Sequence, residues 1–184
     1  MAENKKSDTP KPKSGSSKRG AKTTRRQNAE KGFTASPTLA ANLQVVLVDL
    51  IELSLQGKQA HWNVVGRNFR DMHRQLDEII AAARTFSDTV AERMRALHAT
   101  ADGRSATLAQ TTALPPFPAG EVSTEETVDL ITERLETTVA TIRDVHDQVD
   151  EEDPTSADVL HAIIEKLEQF AWMVSAESRT PAGR

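Results

Sequence analysis

The chain has 184 residues, 38% apolar and 27% charged, with no cysteine. That is an ordinary composition for one soluble domain with a sizeable core. It excludes disulfides, thiolate zinc sites and thiol nucleophiles, suits a reducing compartment, and leaves oxygen and imidazole as the strong metal ligands. No uninterrupted apolar run reaches the 18 residues of a membrane span, and the charged N-terminus lacks the apolar core of a secretory signal. The expected setting is intracellular, with no membrane partner. The net charge of −4 conceals an asymmetry: residues 1–32 hold ten Lys or Arg against Glu3, Asp8 and Glu30, which makes this arm +7 and leaves −11 for the remainder. An acidic body carrying a basic arm points to an anionic partner for the arm.

Residues 1–32 consist largely of Lys, Ser, Thr, Pro and Gly without apolar periodicity, a composition that predicts a disordered tail. Its cations Lys5, Lys6, Lys11, Lys13, Lys18, Arg19, Lys22, Arg25 and Arg26 could neutralise phosphates, while a solubilising tail is the plainer alternative. No aromatic residue precedes Phe33. Base stacking is therefore absent, and any DNA contact should be indifferent to sequence and sensitive to salt.

Ser36-Pro37 reads as an N-cap followed by proline at the first helical position. The helix that follows carries Leu39, Leu43, Val46, Leu47, Leu50, Ile51 and Leu55, and Val45, Val48 and Leu53 widen its apolar surface beyond one stripe. It should run to about Val65, with Gly66-Arg67-Asn68 as the turn. A second helix, about 68–97, repeats Phe69, Met72, Leu76, Ile79, Ala83, Phe86, Val90, Met94 and Leu97 in steps of three and four. Residues 98–123 are rich in Pro and Gly and too long for a hairpin turn, so they predict a crossover with a short helix at Thr107 to Thr111. A third helix opens at Ser123 in capping-box style and follows Val128, Ile131, Leu135, Val139, Ile142, Val145 and Val149. Pro154 stops it. A fourth begins near Thr155 and repeats Leu160, Ile163, Leu167, Phe170 and Val174. Two short connections flanking a long one predict an all-α, ferritin-like four-helix bundle over residues 33–178, with a short tail at 179–184. No strand pattern is visible.

The chemistry gathers between His61 and Glu92. On a wheel of about 100° per residue with His73 at zero, Asp77 falls near 40°, Asp88 near 60° and Glu92 near 100°, roughly 140° from the apolar stripe of the same helix. Asp77 and Asp88 are separated by roughly 16 Å along the axis, too far to share an ion. His61 lies five residues before Gly66 and His73 five after Asn68, so a helical hairpin brings the imidazoles level. His61, His73 and Asp77 then form one half-site, and Asp88 with Glu92 another. Antiparallel packing of two second helices about a two-fold axis could join one chain's first half to its partner's second. The plainer alternative is a solvated acidic face beside ordinary surface histidines. Imidazole and carboxylate without thiols suit Fe2+, Mn2+ or Zn2+. The paired Glu-x-x-His motifs of an internal di-iron bundle are absent; the nearest string is a lone Asp158-x-x-His161. By itself Trp62 reads as core packing.

His61-Trp62-Asn63-Val64-Val65-Gly66, then Asn68-Phe69, His73, Asp77, and Asp88 through Ala91-Glu92-Arg93, closely resemble the Dps family, the miniferritins also called DNA-binding proteins from starved cells. The resemblance covers about Pro37 to Ser178. It implies a hollow dodecamer with ferroxidase centres at two-fold interfaces, His61, His73 and Asp77 coming from one subunit and Asp88 and Glu92 from its neighbour. The implied reaction oxidises Fe2+ to Fe3+, hydrogen peroxide being preferred to dioxygen, and deposits a ferric oxide-hydroxide core. Trp62 matches a position beside the centre where an indole can quench stray oxidants. The acidic run Asp144, Asp147, Asp150, Glu151, Glu152, Asp153 and Asp158 reads by itself as a solvated helix end; in proteins this one resembles, acidic residues here line three-fold pores that draw iron inward, with Asp150, Asp153 and Asp158 the favoured set. Lysine-bearing termini recur as DNA-binding devices in the family. The expected protein is an iron-oxidising, iron-storing shell that also binds DNA non-specifically in the cytoplasm, associated with the nucleoid. Two alternatives stay open: a storage shell whose tail does not engage DNA, and a non-enzymatic nucleoid-compacting protein.

Overall fold

Helix α1, Pro37–Asn63, starts where the sequence places its cap: the Ser36 hydroxyl accepts from the Leu39 amide at 3.1 Å, with Pro37 in the first turn. In this computed structural model the described residues are Met1 and 32–183. The arm's cations fall outside them. The four long helices are α1, α2 (Phe69–Ala96), α4 (Thr124–Glu152) and α5 (Pro154–Ser175), and the crossover contains a short α3 (Ser105–Thr111). The first two and the last two form antiparallel hairpins, α1 also packs against α4, and a 3-10 turn, Ala176–Ser178, follows α5.

The apolar stripes meet in one core. Met72, Leu76, Ile79, Ala83, Val90, Met94 and Leu97 are buried, as are Leu160, Ile163, Leu167, Phe170 and Val174. Phe69, on the same predicted stripe, is 45% exposed. On α1, Val48 and Leu53 are buried as the widened pattern requires, but Val45 and Leu55 face outward. Among the described residues α1 is the one helix long and apolar enough to cross a membrane, and half of its most apolar window is buried in the bundle.

The first hairpin departs from the expected helix to Val65. Val64 is extended, and Val64–Val65 (β1) pairs in parallel with Val122–Ser123 (β2). Two residues are too short to leave a period-two pattern, so the sequence could not announce this clasp. It ties the first turn to the start of α4. Gly66 has φ +123°, a backbone conformation that demands glycine, and a Cβ there would crowd Thr124 Oγ1 at 3.2 Å. At the far end of α2, His98 takes a left-handed conformation (φ 62°) while its amide reaches Arg95 O and the Ala99 amide reaches Met94 O. This is the paired closure of a Schellman motif, with histidine where glycine is usual.

The crossover is held by buried polar groups. Asp49 accepts from Thr112 Oγ1, the Ala113 amide and Thr141 Oγ1 at 2.7–2.9 Å. Arg134, 1% exposed, donates to Gln56 Oε1 and to the carbonyls of Leu130, Pro115 and Pro116. Its guanidinium replaces backbone partners that a proline-rich segment cannot provide for itself. Truncation would leave Gln56 Oε1 and the Pro116 carbonyl without this donor, so Arg134→Ala is expected to cost about 2–5 kcal/mol, at about 1–3 kcal/mol for each orphaned group, read as a lowered denaturation midpoint. Wild-type stability in that variant would show the buried network to be dispensable.

Candidate metal centre

The turn at Gly66 and Asn68 sets α1 and α2 back to back, and the two histidines arrive at one level. Their rings stack with centroids 3.6 Å apart and planes inclined by 22°. His61 Nδ1 lies 3.0 Å from the carbonyl oxygen of His73, and His73 Nδ1 lies 2.9 Å from that of His61. A carbonyl can only accept, so each Nδ1 carries the proton. With Nδ1 so occupied, Nε2 is the atom of each ring left to offer a lone pair to a metal ion. Asp77, one turn after His73, completes a group in which one ligand atom from each residue lies within 4.8 Å of the others. His61 is buried, His73 half-buried and Asp77 exposed, so the group opens from the interhelical seam to the surface.

Lys58 bears on this group and was not anticipated. Its Nζ donates to Asp77 Oδ1 at 3.0 Å, and the same oxygen lies 3.3 Å from His61 Nδ1. The Lys58 hydrogen bond outweighs the penalty of desolvation and, with the charge of Lys58, holds the Asp77 carboxyl below its ordinary range. Asp77 is therefore ionised and neutralised by an ammonium that an arriving cation would displace. The signal available in sequence was position: Lys58 precedes His61 by three residues and shares its face of α1.

Trp62 is not core. It is 69% exposed, which corrects the packing role that the residue type alone suggests. With Leu55, 53% exposed and seven residues earlier on the same face, it forms an apolar edge beside the His61 group. Asp88 and Glu92 are both exposed on α2, which runs unbroken from Asp77 past Glu92, so the separation of roughly 16 Å stands. Among the described residues, one chain assembles His61, His73 and Asp77 and leaves Asp88 and Glu92 apart.

The acidic residues near the α4–α5 junction divide. Asp150 and Asp158 are exposed. Asp153 is turned inward: its Oδ2 accepts from Arg93 at 2.6 Å and from the Ser156 hydroxyl. Burial would raise this carboxyl, but the bonds from Ser156 and Arg93 outweigh burial and hold it low. Its carboxylate fastens α2 to the α4–α5 hairpin and is not offered to a passing ion, a correction to the pore set. Glu152 is engaged too, accepting from the Ser36 amide and hydroxyl at 2.8 and 2.6 Å. Because the folded pKa of Asp153 is lowered, its stabilisation is present above the ordinary carboxylate pKa and disappears as pH falls through the lowered value. Asp153→Asn is expected to cost roughly 1.5–3 kcal/mol at neutral pH. The deficit should shrink as pH falls below about 4, by denaturation at both pH values. A deficit independent of pH would contradict the ionised pair.

Comparison with known proteins follows the same residues. The family model for the ferritin-like domain matches residues 40–180. The DNA protection during starvation protein of Agrobacterium fabrum is 34% identical over 143 residues, covering 77% of this chain and 88% of that relative. This chain belongs to the Dps family of ferritin-like proteins. Among solved structures, Dps from Microbacterium arborescens in its high iron form aligns with a TM-score of 0.73 and 34% identity, covering 79% of this chain and 98% of that one. DNA protection during starvation protein 2 of Deinococcus radiodurans is also 34% identical, over 134 residues. That match spans 73% of this Dps chain and 56% of the relative's length. The family match begins at residue 40, beyond the basic arm.

Proposed function

We propose that this Dps protein is a ferroxidase and iron-storage shell that protects DNA, with Fe2+ as the substrate of centres shared between subunits. The carrying observation is the His61–His73–Asp77 group, with both Nε2 lone pairs available and the complementary Asp88 and Glu92 on the same helix but out of reach. His61, His73 and Asp77 of one subunit and Asp88 and Glu92 of its neighbour hold the iron. The apolar edge of Leu55 and Trp62 belongs to the interface that joins them, and Trp62 stands beside the centre as an oxidisable indole. A closed dodecamer supplies this two-fold pairing for every subunit.

In the reaction two Fe2+ each give up one electron. One hydrogen peroxide accepts both as its O–O bond breaks, leaving two hydroxide equivalents and no hydroxyl radical. Dioxygen is the slower oxidant. Ferric product collects inside as oxide-hydroxide mineral. Lys58 keeps Asp77 charged and aligned until the cation replaces the ammonium. Exposed Asp150 and Asp158 contribute to the negative field that admits Fe2+. The basic arm binds DNA phosphates, twelve arms on one particle giving avidity from weak contacts, and the protein works in the cytoplasm on the nucleoid.

Anaerobic Fe2+ titration of the assembled protein followed by hydrogen peroxide tests the reading. Saturable binding and oxidation faster than in buffer are expected. Unsaturable binding with the buffer rate would leave a non-enzymatic scaffold.

A further inference from the structure

The second helical hairpin repeats the device of the first with a different outcome. His146 on α4 and His161 on α5 stand seven and eight residues from Asp153, so the antiparallel turn brings them level. Their ring centroids lie 4.5 Å apart at an inclination of 35°, and they meet tip to tip: His146 Nε2 is 2.6 Å from His161 Nε2. In the first hairpin both Nδ1 atoms are tied to backbone; here carboxylates stand behind the rings. Asp147 Oδ1 lies 3.1 Å from His146 Nδ1, and Asp158 Oδ1 lies 3.9 Å from His161 Nδ1.

An ionised carboxylate accepts only, so His146 carries its proton on Nδ1 and, while neutral, presents a bare lone pair at Nε2. Asp158, at 3.9 Å, lies beyond hydrogen-bond reach of His161 Nδ1 and acts on that ring through its charge. Nitrogens 2.6 Å apart hold a proton between them, given by His161 to the His146 lone pair, and a metal ion would take that proton's place as the rings move apart. Carboxylate, imidazole, metal is the arrangement in which an outer acid fixes the ring's tautomer and strengthens its basicity.

We propose that His146 and His161 form a second metal site for a borderline divalent transition ion, Zn2+ or Cu2+. Asp147 orients the His146 ring, Asp158 adds negative charge beside His161, and solvent supplies the remaining ligands. The donor set selects this class. Two imidazoles without thiolate suit Zn2+ and Cu2+, which bind nitrogen more tightly than Fe2+ does, whereas Ca2+ and Mg2+ want oxygen. Bonds of about 2.0–2.1 Å at square-planar to tetrahedral angles place the nitrogens roughly 2.9–3.4 Å apart, so the rings must open from 2.6 Å. His161 has room to do this, its side chain being 59% exposed, and the His146 side chain at 19% is the fixed wall. The bound ion would staple α4 to α5. The site shares no residue with the His61 group, although Asp158 belongs both to it and to the field proposed to admit Fe2+.

The test uses the full chain in its assembled form. Zn2+ alone is added, and bound metal is counted per chain after equilibrium dialysis, in wild type, His161→Asn, His146→Gln, and His73→Ala/Asp77→Ala. Wild type should hold one more Zn2+ per chain than either His161→Asn or His146→Gln, and the extra ion should survive in His73→Ala/Asp77→Ala. Zn2+ should raise the thermal midpoint of wild type and of His73→Ala/Asp77→Ala more than that of His161→Asn. With Cu2+ in the same double variant, electron paramagnetic resonance should show nitrogen splitting that disappears when His161→Asn is added. Removing both carboxylates, Asp147→Asn/Asp158→Asn, should weaken Zn2+ binding about tenfold or more. Equal Zn2+ counts in wild type and His161→Asn would overturn the proposal and leave a proton-sharing histidine pair. So would loss of all bound Zn2+ in His73→Ala/Asp77→Ala.

Discussion

Replacing His73 and Asp77 together by alanine is expected to slow protein-dependent Fe2+ oxidation about a hundredfold or more. Loss of a single outer partner of a metal ligand typically costs ten- to a hundredfold, and this change removes two donors from a group of three. The loss should be specific to chemistry. Asp77 is exposed and His73 half-buried, neither belongs to the apolar core, and surface substitutions of this kind usually stay within about half a kcal/mol. His61 loses its stacking partner and remains as a lone imidazole beside an unpaired Lys58. Stopped-flow growth of ferric absorbance after peroxide addition, with particle size checked by chromatography, gives the result. A correctly sized particle oxidising at the wild-type rate would move the chemistry elsewhere.

Deleting residues 1–32 should abolish DNA retention under conditions where the full chain is fully shifted in a gel. The deletion removes an arm of +7 and leaves a body of −11, which repels a polyanion. Ten cationic side chains per arm allow six to ten phosphate contacts from one or several arms. The full-length affinity should then fall by roughly 10³–10⁵ between 50 and 200 mM salt, the response of counterion release. Because no aromatic residue lies in the arm, changing DNA sequence at constant salt should alter affinity little. Retention by the truncated particle equal to that of the full chain would assign DNA binding to the body instead.

The bundle was legible because its signals are local and repeated. Ser36 and Ser123 cap the helices they were expected to cap, each accepting at 3.1 Å from the amide three residues on. The level pairing of His61 with His73 followed from counting residues to a turn. Features made by distant segments were hidden. The β1–β2 clasp consists of two residues on each side, below the length at which periodicity exists. Arg134 and Asp49 look like surface charges on their helices and become anchors only once the crossover lies on them. Asp153 shares its composition with the acidic run, and the chain distance of 60 residues to Arg93 conceals why it turns inward. Trp62 was misjudged from type, because an exposed indole in one chain has a purpose only where another surface meets it.

The claim that each chain carries two incomplete halves is tested most directly by mixing two inactive parents, Asp88→Ala and His73→Ala. The parents are dissociated and reassembled together, and the hybrids verified by mass. Each parent spoils every centre in its own particle. In a hybrid, some interfaces pair an intact His61–His73–Asp77 group from one subunit with an intact Asp88 and Glu92 from its neighbour. Shared centres predict that hybrids recover Fe2+ oxidation that neither parent shows, in proportion to the fraction of mixed interfaces. Verified hybrids with no more activity than the parents would contradict the sharing of centres between subunits.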